Sequence, residues 1–529
     1  MSKTSKIILI SGSLILGVAV FAWFWFNSHT DDSHLKYVPK EAAAVFSIHN
    51  LEIASKIDAS KLESLKPAQD AINDIPDFLM NIMTDPMSTG IDPVQNFYGF
   101  TEKEKGGTVA ALVVSVNDEG DFTTFAQKMF PDRKVEVVGP CNYISIDDTR
   151  GIAWNGEAAT YISADQVDAK LYAEELFGQS EDESIRKDTA FNSFNAKSFD
   201  AGLWTNNNRL KMLNAETSTL GMIGMSEGYS QFFLRFEQDE IVAEYVASKS
   251  TAPSIFQTAG PPATDLSCLG TKNPLIFMSM NFDVKNLLQS ASGDAMMKQN
   301  SEMMLGALGI SNDQMAKLFT GSVILSVSDY KNIFATDPRV QNEMSAMMGP
   351  MDGFAGELAA GLLAQFAIEV PVTTISIGIT NEQEATDIMT MIGMKKMAEN
   401  FWAAPGVEMV IYTAITPTQM VITNDYGTAE MISKNTPLAG KLPEAYAKQV
   451  PLQSFALYMD FEKEHLPPLL LSPENPLLDV ADIAGYVALS GVLNSASFES
   501  NANGASFHFR MNEGGDNSLM QILQFLQPK

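Results

Sequence analysis

Residue types that most often carry chemistry are sparse here: five histidines and two cysteines in 529 residues. Ser184-Ile185-Arg186-Lys187 spells S-x-x-K, a spacing that puts a lysine amine one helical turn from a serine nucleophile. It stands in a charged stretch without S-D-N or K-T-G, so it reads as a solvated helix start. A nucleotide loop needs a glycine-rich backbone that approaches phosphate closely. Gly440-Lys441 is followed by Leu442 and has Asn435 where the first glycine belongs. No G-x-S-x-G elbow, H-E-x-x-H, C-x-x-C or regular calcium loop occurs.

Asn117-Asp118-Glu119-Gly120-Asp121 is acidic enough for calcium, but its later counterpart, Thr380-Asn381-Glu382-Gln383-Glu384, keeps fewer carboxylates. Both stand where a strand pattern turns into a helix, so capping of the first free N–H groups explains them better. His29, His34, His49, His465 and His508 are scattered and read as structural or surface residues. Carboxylate pairs for glycoside hydrolysis are defined in space, and 64 acidic residues offer too many pairs to choose from. The 29 methionines recur at core-like spacing, which favours packing over copper. Trp154 and Trp204 read as core anchors. The sequence therefore assigns no catalytic, cofactor-binding or metal site, and no cofactor.

The elements that would position any site repeat along the chain. Ala44-Val45-Phe46-Ser47-Ile48-His49 alternates like a strand and returns as Ile276-Phe277-Met278-Ser279-Met280-Asn281. Leu112–Val116 matches Ile375–Ile379, each followed by an amphipathic helix. Gly151–Asn155 is paired with Met420–Asn424, and Phe199–Trp204 with Phe455–Asp460. A hairpin pattern closes each copy. Alternation suits antiparallel sheets with one buried face. The copies differ between two strands, where Glu102–Gly107 is a short turn and residues 331–371 form an insertion. There Met344, Met347, Met348, Met351, Phe354 and Leu358 recur at helical spacing, either as a cap on a core or as a candidate interaction surface.

Composition sets the outer limits. At 45% hydrophobic and 19% charged the chain is globular. A net charge of −29 repels phosphate backbones, so nucleic acid is excluded as a broad partner. Cys141 and Cys268 cannot build a disulfide scaffold, and whether they pair is left open.

Residues 7–26 carry no charge, follow Lys3 and Lys6, and precede Asp31 and Asp32. Roughly 20 residues span about 30 Å as a helix, enough for a bilayer core. The positive-inside rule puts the N-terminus in the cytoplasm and the rest in the periplasm or outside. The expected anchor is single-pass, in the inner membrane, with the bilayer as its partner; cleavage of the segment is the competing reading.

Tyr37-Val38-Pro39-Lys40-Glu41-Ala42-Ala43-Ala44-Val45 resembles the opening of a domain-of-unknown-function family of large cell-envelope proteins, often lipoproteins, from Bacteroidetes-type bacteria. Ile152-Ala153-Trp154-Asn155 resembles the family too. The resemblance implies an envelope protein and supplies no catalytic residues.

The fold class expected is α+β: an N-terminal transmembrane helix followed by two tandem, homologous α+β lobes with mainly antiparallel sheets. The segments are 1–27 (cytoplasmic tip and anchor), 28–36 (stalk), 37–250 (first lobe), 251–272 (linker), 273–515 (second lobe with insertion 331–371) and 516–529 (C-terminal helix). The expected function is non-catalytic binding or scaffolding toward another envelope protein. The alternative is a carrier or sensor of a hydrophobic ligand such as a lipid, and the third reading is a hydrolase of unfamiliar type.

Overall fold

The computed structural model describes residues 32–56, 86–213, 228–248, 256–293, 311–333, 337–340, 342, 369–405, 410–466, 490–501, 504–512 and 514–525. The chain divides into two compact units, Met1–Thr251 with Met511–Lys529, and Ala252–Arg510.

The strands of the first unit are β1 (Ala44–Ile48), β2 (Phe97–Glu104), β3 (Gly107–Ser115), β4 (Glu136–Val138), β5 (Cys141–Ser145), β6 (Arg150–Trp154), β7 (Ala158–Asp165), β8 (Ala201–Asn206), β9 (Tyr229–Glu237) and β10 (Glu240–Ala247). They pair antiparallel in the order β4-β5-β6-β7-β3-β2-β1-β8-β9-β10. The sheet is covered on both faces. Val113 and Val114 are neighbours on β3 and point to opposite sides, and they belong to separate apolar clusters. The expectation of one buried face is thus corrected: helices lie on both sides. The helix Glu119–Met129 buries Phe122, Phe125 and Ala126, an i, i+3, i+4 stripe, and Phe122 meets Trp154 edge-on at 5.5 Å. The helix Ala169–Gly178 buries Tyr172, Ala173, Leu176 and Phe177 in the other cluster. The helix Ser518–Phe525 adds Leu519, Met520 and Leu523 to the Trp154 side.

The second unit contains β11 (Ile276–Asn281), β12 (Phe319–Lys331), β13 (Val370–Ile379), β14 (Lys395–Ala398), β15 (Phe401–Ala403), β16 (Tyr412–Ile415), β17 (Gln419–Thr423), β18 (Phe455–Asp460), β19 (Leu493–Asn501) and β20 (Gly504–Met511). Their order is β14-β15-β16-β17-β13-β12-β11-β18-β19-β20. This is the strand order of the first unit, with β11 in the place of β1 and β18 in the place of β8. Registers agree as well: Ala44 faces Thr101 and Thr205, and Ile276 faces Val327 and Met459. By order, β6 corresponds to β16 rather than to β17. The sequence pairing of Gly151–Asn155 with Met420–Asn424 is therefore one strand out, because adjacent strands carry the same alternation.

The buried face of the second sheet is rich in hydroxyls. Ser322 donates to Asp265 Oδ2 at 3.0 Å and Ser326 donates to the Leu269 carbonyl at 2.6 Å. Residues 256–272, expected as linker, thus pack within the unit, with Asp265, Cys268 and Leu269 buried.

The expected fold class needs correction. The structure is a large fold rich in antiparallel sheet, with short helices between strands, and it lends no support to an N-terminal transmembrane helix. Among the described residues no helix is long and apolar enough to cross a membrane, and residues 7–26 lie outside them. An uncharged run of sufficient length is necessary for crossing and not sufficient for it. Met344, Met347, Met348, Met351, Phe354 and Leu358 of the insertion likewise lie outside the described residues.

Candidate functional site

Strand β18 ends at Asp460, whose amide donates to the Leu275 carbonyl. The chain then reverses. The Glu462 amide donates to Asp460 Oδ1 at 2.9 Å, and the His465 amide donates to the Glu462 carbonyl at 2.9 Å. This turn brings His465 Nδ1 to 2.8 Å from Asp460 Oδ2 and 3.1 Å from Glu462 Oε2. The β18–β19 pairing sets Asn494 alongside, and its amide donates to Glu462 Oε1 at 2.6 Å. Each carboxylate thus has one oxygen held from behind and one facing the imidazole. Burial pushes the His465 pKa down, but the hydrogen bond and charge of Asp460, with Glu462 and Glu464, outweigh it and leave the imidazole above its ordinary 6.5.

Asp460 and His465 open onto a pocket of about 560 Å³. Its wall includes Lys272, Asp329, Glu369, Glu464 and Ser328. Lys272 is tied to Asp329 at 2.9 Å. Ser328 is 2% exposed and its Oγ has no hydrogen-bond partner, an expensive state for a buried hydroxyl. A second pocket of about 300 Å³ is lined by Tyr446, Tyr458, Glu499, His508 and Arg510.

The first unit carries different residues at the equivalent strand positions. By register Glu102 stands where Ser328 does and Asn206 where Asp460 does; beyond Asn206 the first unit continues as the helix Asn207–Leu213, with Lys211 at the count of His465. Tyr172 donates to the buried Glu102 carboxylate. Arg209 reaches the Lys40 carbonyl at 2.6 Å and pairs with Glu41 at 2.7 Å. Burial pushes the Glu102 pKa up to about 7, the Tyr172 hydroxyl opposing.

Several other residues singled out in sequence have structural employment, and His29 lies outside the described residues. Ser184 is buried, donates to the Leu35 carbonyl and accepts from the Arg186 amide. Asp118 caps through the Asp121 amide, and Asn381 caps through those of Gln383 and Glu384. His34 and His49 are buried; His49 stacks on Phe199 at 3.9 Å, and burial pushes its pKa down to about 4. Trp154 and Trp204 are fully buried. Cys141 and Cys268 are both buried free thiols. The Asp460–Glu462–His465 group escaped notice in sequence, although D-x-E-x-x-H at the end of an alternating run is its signal.

Fold and pocket together define an antiparallel-sheet protein of two units sharing one strand order, the second carrying an acid-lined pocket. The chain belongs to a family defined by a domain of unknown function, DUF4836, which matches residues 35–336. No curated protein matches it. A solved structure titled "Structure of crystal form I of TP0453" is similar at 12% identity and a TM-score of 0.26, over 43% of this chain and 82% of that one. That likeness is too slight to carry fold or function.

Proposed function

We propose that the chain is a non-catalytic binding protein of a bacterial cell envelope, and that it binds a small hydrophilic cation in the pocket of its second unit. The observation that carries this reading is the pocket wall. Asp329, Glu369, Asp460 and Glu464 face Lys272, whose ammonium Asp329 already holds. A cleft lined by one sign of charge, with low-dielectric walls, concentrates ions of the other sign. The envelope placement, and kinship with lipoproteins of Bacteroidetes-type bacteria, rest on the resemblance at residues 37–45. A lipid carrier needs a mostly apolar cavity, whereas charged side chains stand beside Leu275 and Leu466 here.

The test is native mass spectrometry of the full chain titrated with spermidine as the probe cation. One adduct per chain is expected, weakened tenfold or more in Glu369→Gln/Glu464→Gln. No adduct at millimolar spermidine overturns the pocket reading. A lipid-sized adduct already present after purification installs the carrier reading instead. Recovery of the protein in the cytosolic fraction removes the envelope part.

A further inference from the structure

The Asp460–Glu462–His465 group can do more than attract charge. The two carboxylate oxygens and the imidazole nitrogen lie within 4.8 Å of one another. We propose that Asp460, Glu462 and His465 bind a divalent metal ion, of the zinc or manganese type, at the edge of the acid-lined pocket.

Two carboxylates and one imidazole are a donor set suited to borderline divalent ions. The three donors come from six consecutive residues, so their approach costs little chain entropy. Their supports are in place. The Leu275 carbonyl fixes the Asp460 backbone, the Glu462 amide takes one Asp460 oxygen, and Asn494 takes one Glu462 oxygen. Outer partners of this kind orient metal ligands. The remaining coordination positions would be met by water or by a ligand from the pocket.

A second observation points to a ligand in the same space. Ser328 lines that pocket, is 2% exposed, and has an unpartnered Oγ. A hydroxyl so placed is satisfied by a bound water or by a ligand oxygen. The duplicated sheet supplies an internal control. Counted from the matching strand end, the first unit has Asn206, Asn208 and Lys211, the last two on a helix, and they offer neither carboxylate nor imidazole. The metal donors are thus a property of the second unit, not of the shared scaffold.

This inference deepens the pocket reading, and its test separates the two. The full chain is stripped with a chelator, dialysed, and titrated with Zn²⁺ by equilibrium dialysis with elemental analysis. One zinc per chain is expected. His465 is half exposed, so His465→Ala keeps the fold and should lower affinity at least tenfold. Glu462→Gln should do the same, and Asn494→Ala should give a smaller loss. Lys211→Ala, on the helix that follows the matching strand of the first unit, should change nothing. Absence of zinc uptake by the wild type overturns the proposal, as does uptake that His465→Ala and Glu462→Gln leave unmoved. Zinc uptake without a spermidine adduct sinks the wider pocket reading alone; spermidine binding without zinc sinks only this one.

Discussion

Glu102 and Ser328 hold the same register position in two sheets of identical strand order, each one residue beyond the partner of the first residue of the central strand. One is a carboxylate closed over by Tyr172. The other is a bare hydroxyl on a pocket wall. The same scaffold position thus carries a sealed acid in one unit and an open site in the other.

The sealed acid makes stability depend on pH. Burial raises the folded pKa of Glu102 from the ordinary 4.5 to about 7. Below 4.5 the group is protonated folded or unfolded, and its contribution is fully present. As pH rises through 7 that contribution is lost, because only the unfolded chain ionises the group freely. The loss is on the order of 3 kcal/mol across this window. Glu102→Gln, which still accepts from Tyr172, should flatten the pH 5–8 dependence of the calorimetric unfolding temperature. A variant with the wild-type slope would show that the group ionises without cost.

Asp200 is fully buried, pairs with Lys56 at 2.7 Å and accepts from the Phe236 amide at 2.6 Å. Burial still raises its pKa against these partners. Lys56→Met removes the cation paired with this carboxylate and should destabilise the first unit by about 3 kcal/mol, since a buried charge loses its partner. Lys56→Met/Asp200→Asn should recover part of that loss. Urea unfolding of both variants measures it.

Gly321 sits in β12 at φ +95°, beside a register shift, and its carbonyl accepts from the Phe282 amide at 2.9 Å. A Cβ there would overlap the Phe282 carbonyl oxygen. Gly321→Ala should cost at least about 1–2 kcal/mol from the backbone alone. A thermal unfolding temperature equal to that of the wild type would contradict the register shift at this position.

The thiols test compartment chemistry. Burial pushes the Cys141 pKa up to about 11, Glu174 adding to it, and burial also raises Cys268. Neither should react with iodoacetamide in the native protein at pH 8 within minutes, since the thiolate is the nucleophile. Both should react after denaturation without reductant, giving two labels by intact mass. An unlabelled denatured chain would mean a disulfide.

Legibility in the sequence followed range. The period-two runs Ala44–Ile48 and Ile276–Asn281 are central strands, and Asp118 and Asn381 cap helices, because these depend on a few neighbouring residues. The strand correspondence slipped at Gly151–Asn155 because alternation does not distinguish adjacent strands. The pocket was not legible at all. Lys272, Asp329, Glu369 and Asp460 are brought together by the ladders of β11, β12, β13 and β18, and no local pattern encodes that. His465 was within reach of a local reading, but its role depends on a chain reversal held by one carboxylate oxygen of Asp460.

Leu519, Met520 and Leu523 belong to the same apolar cluster as Ile48, Phe122 and Trp154. On a ribosome adding roughly 5–20 residues per second, those early residues wait tens of seconds for their last neighbours to emerge. The first unit to be started is the last to be finished, and throughout that interval the Phe236 side of its sheet is a surface that chaperones or neighbouring nascent chains can reach.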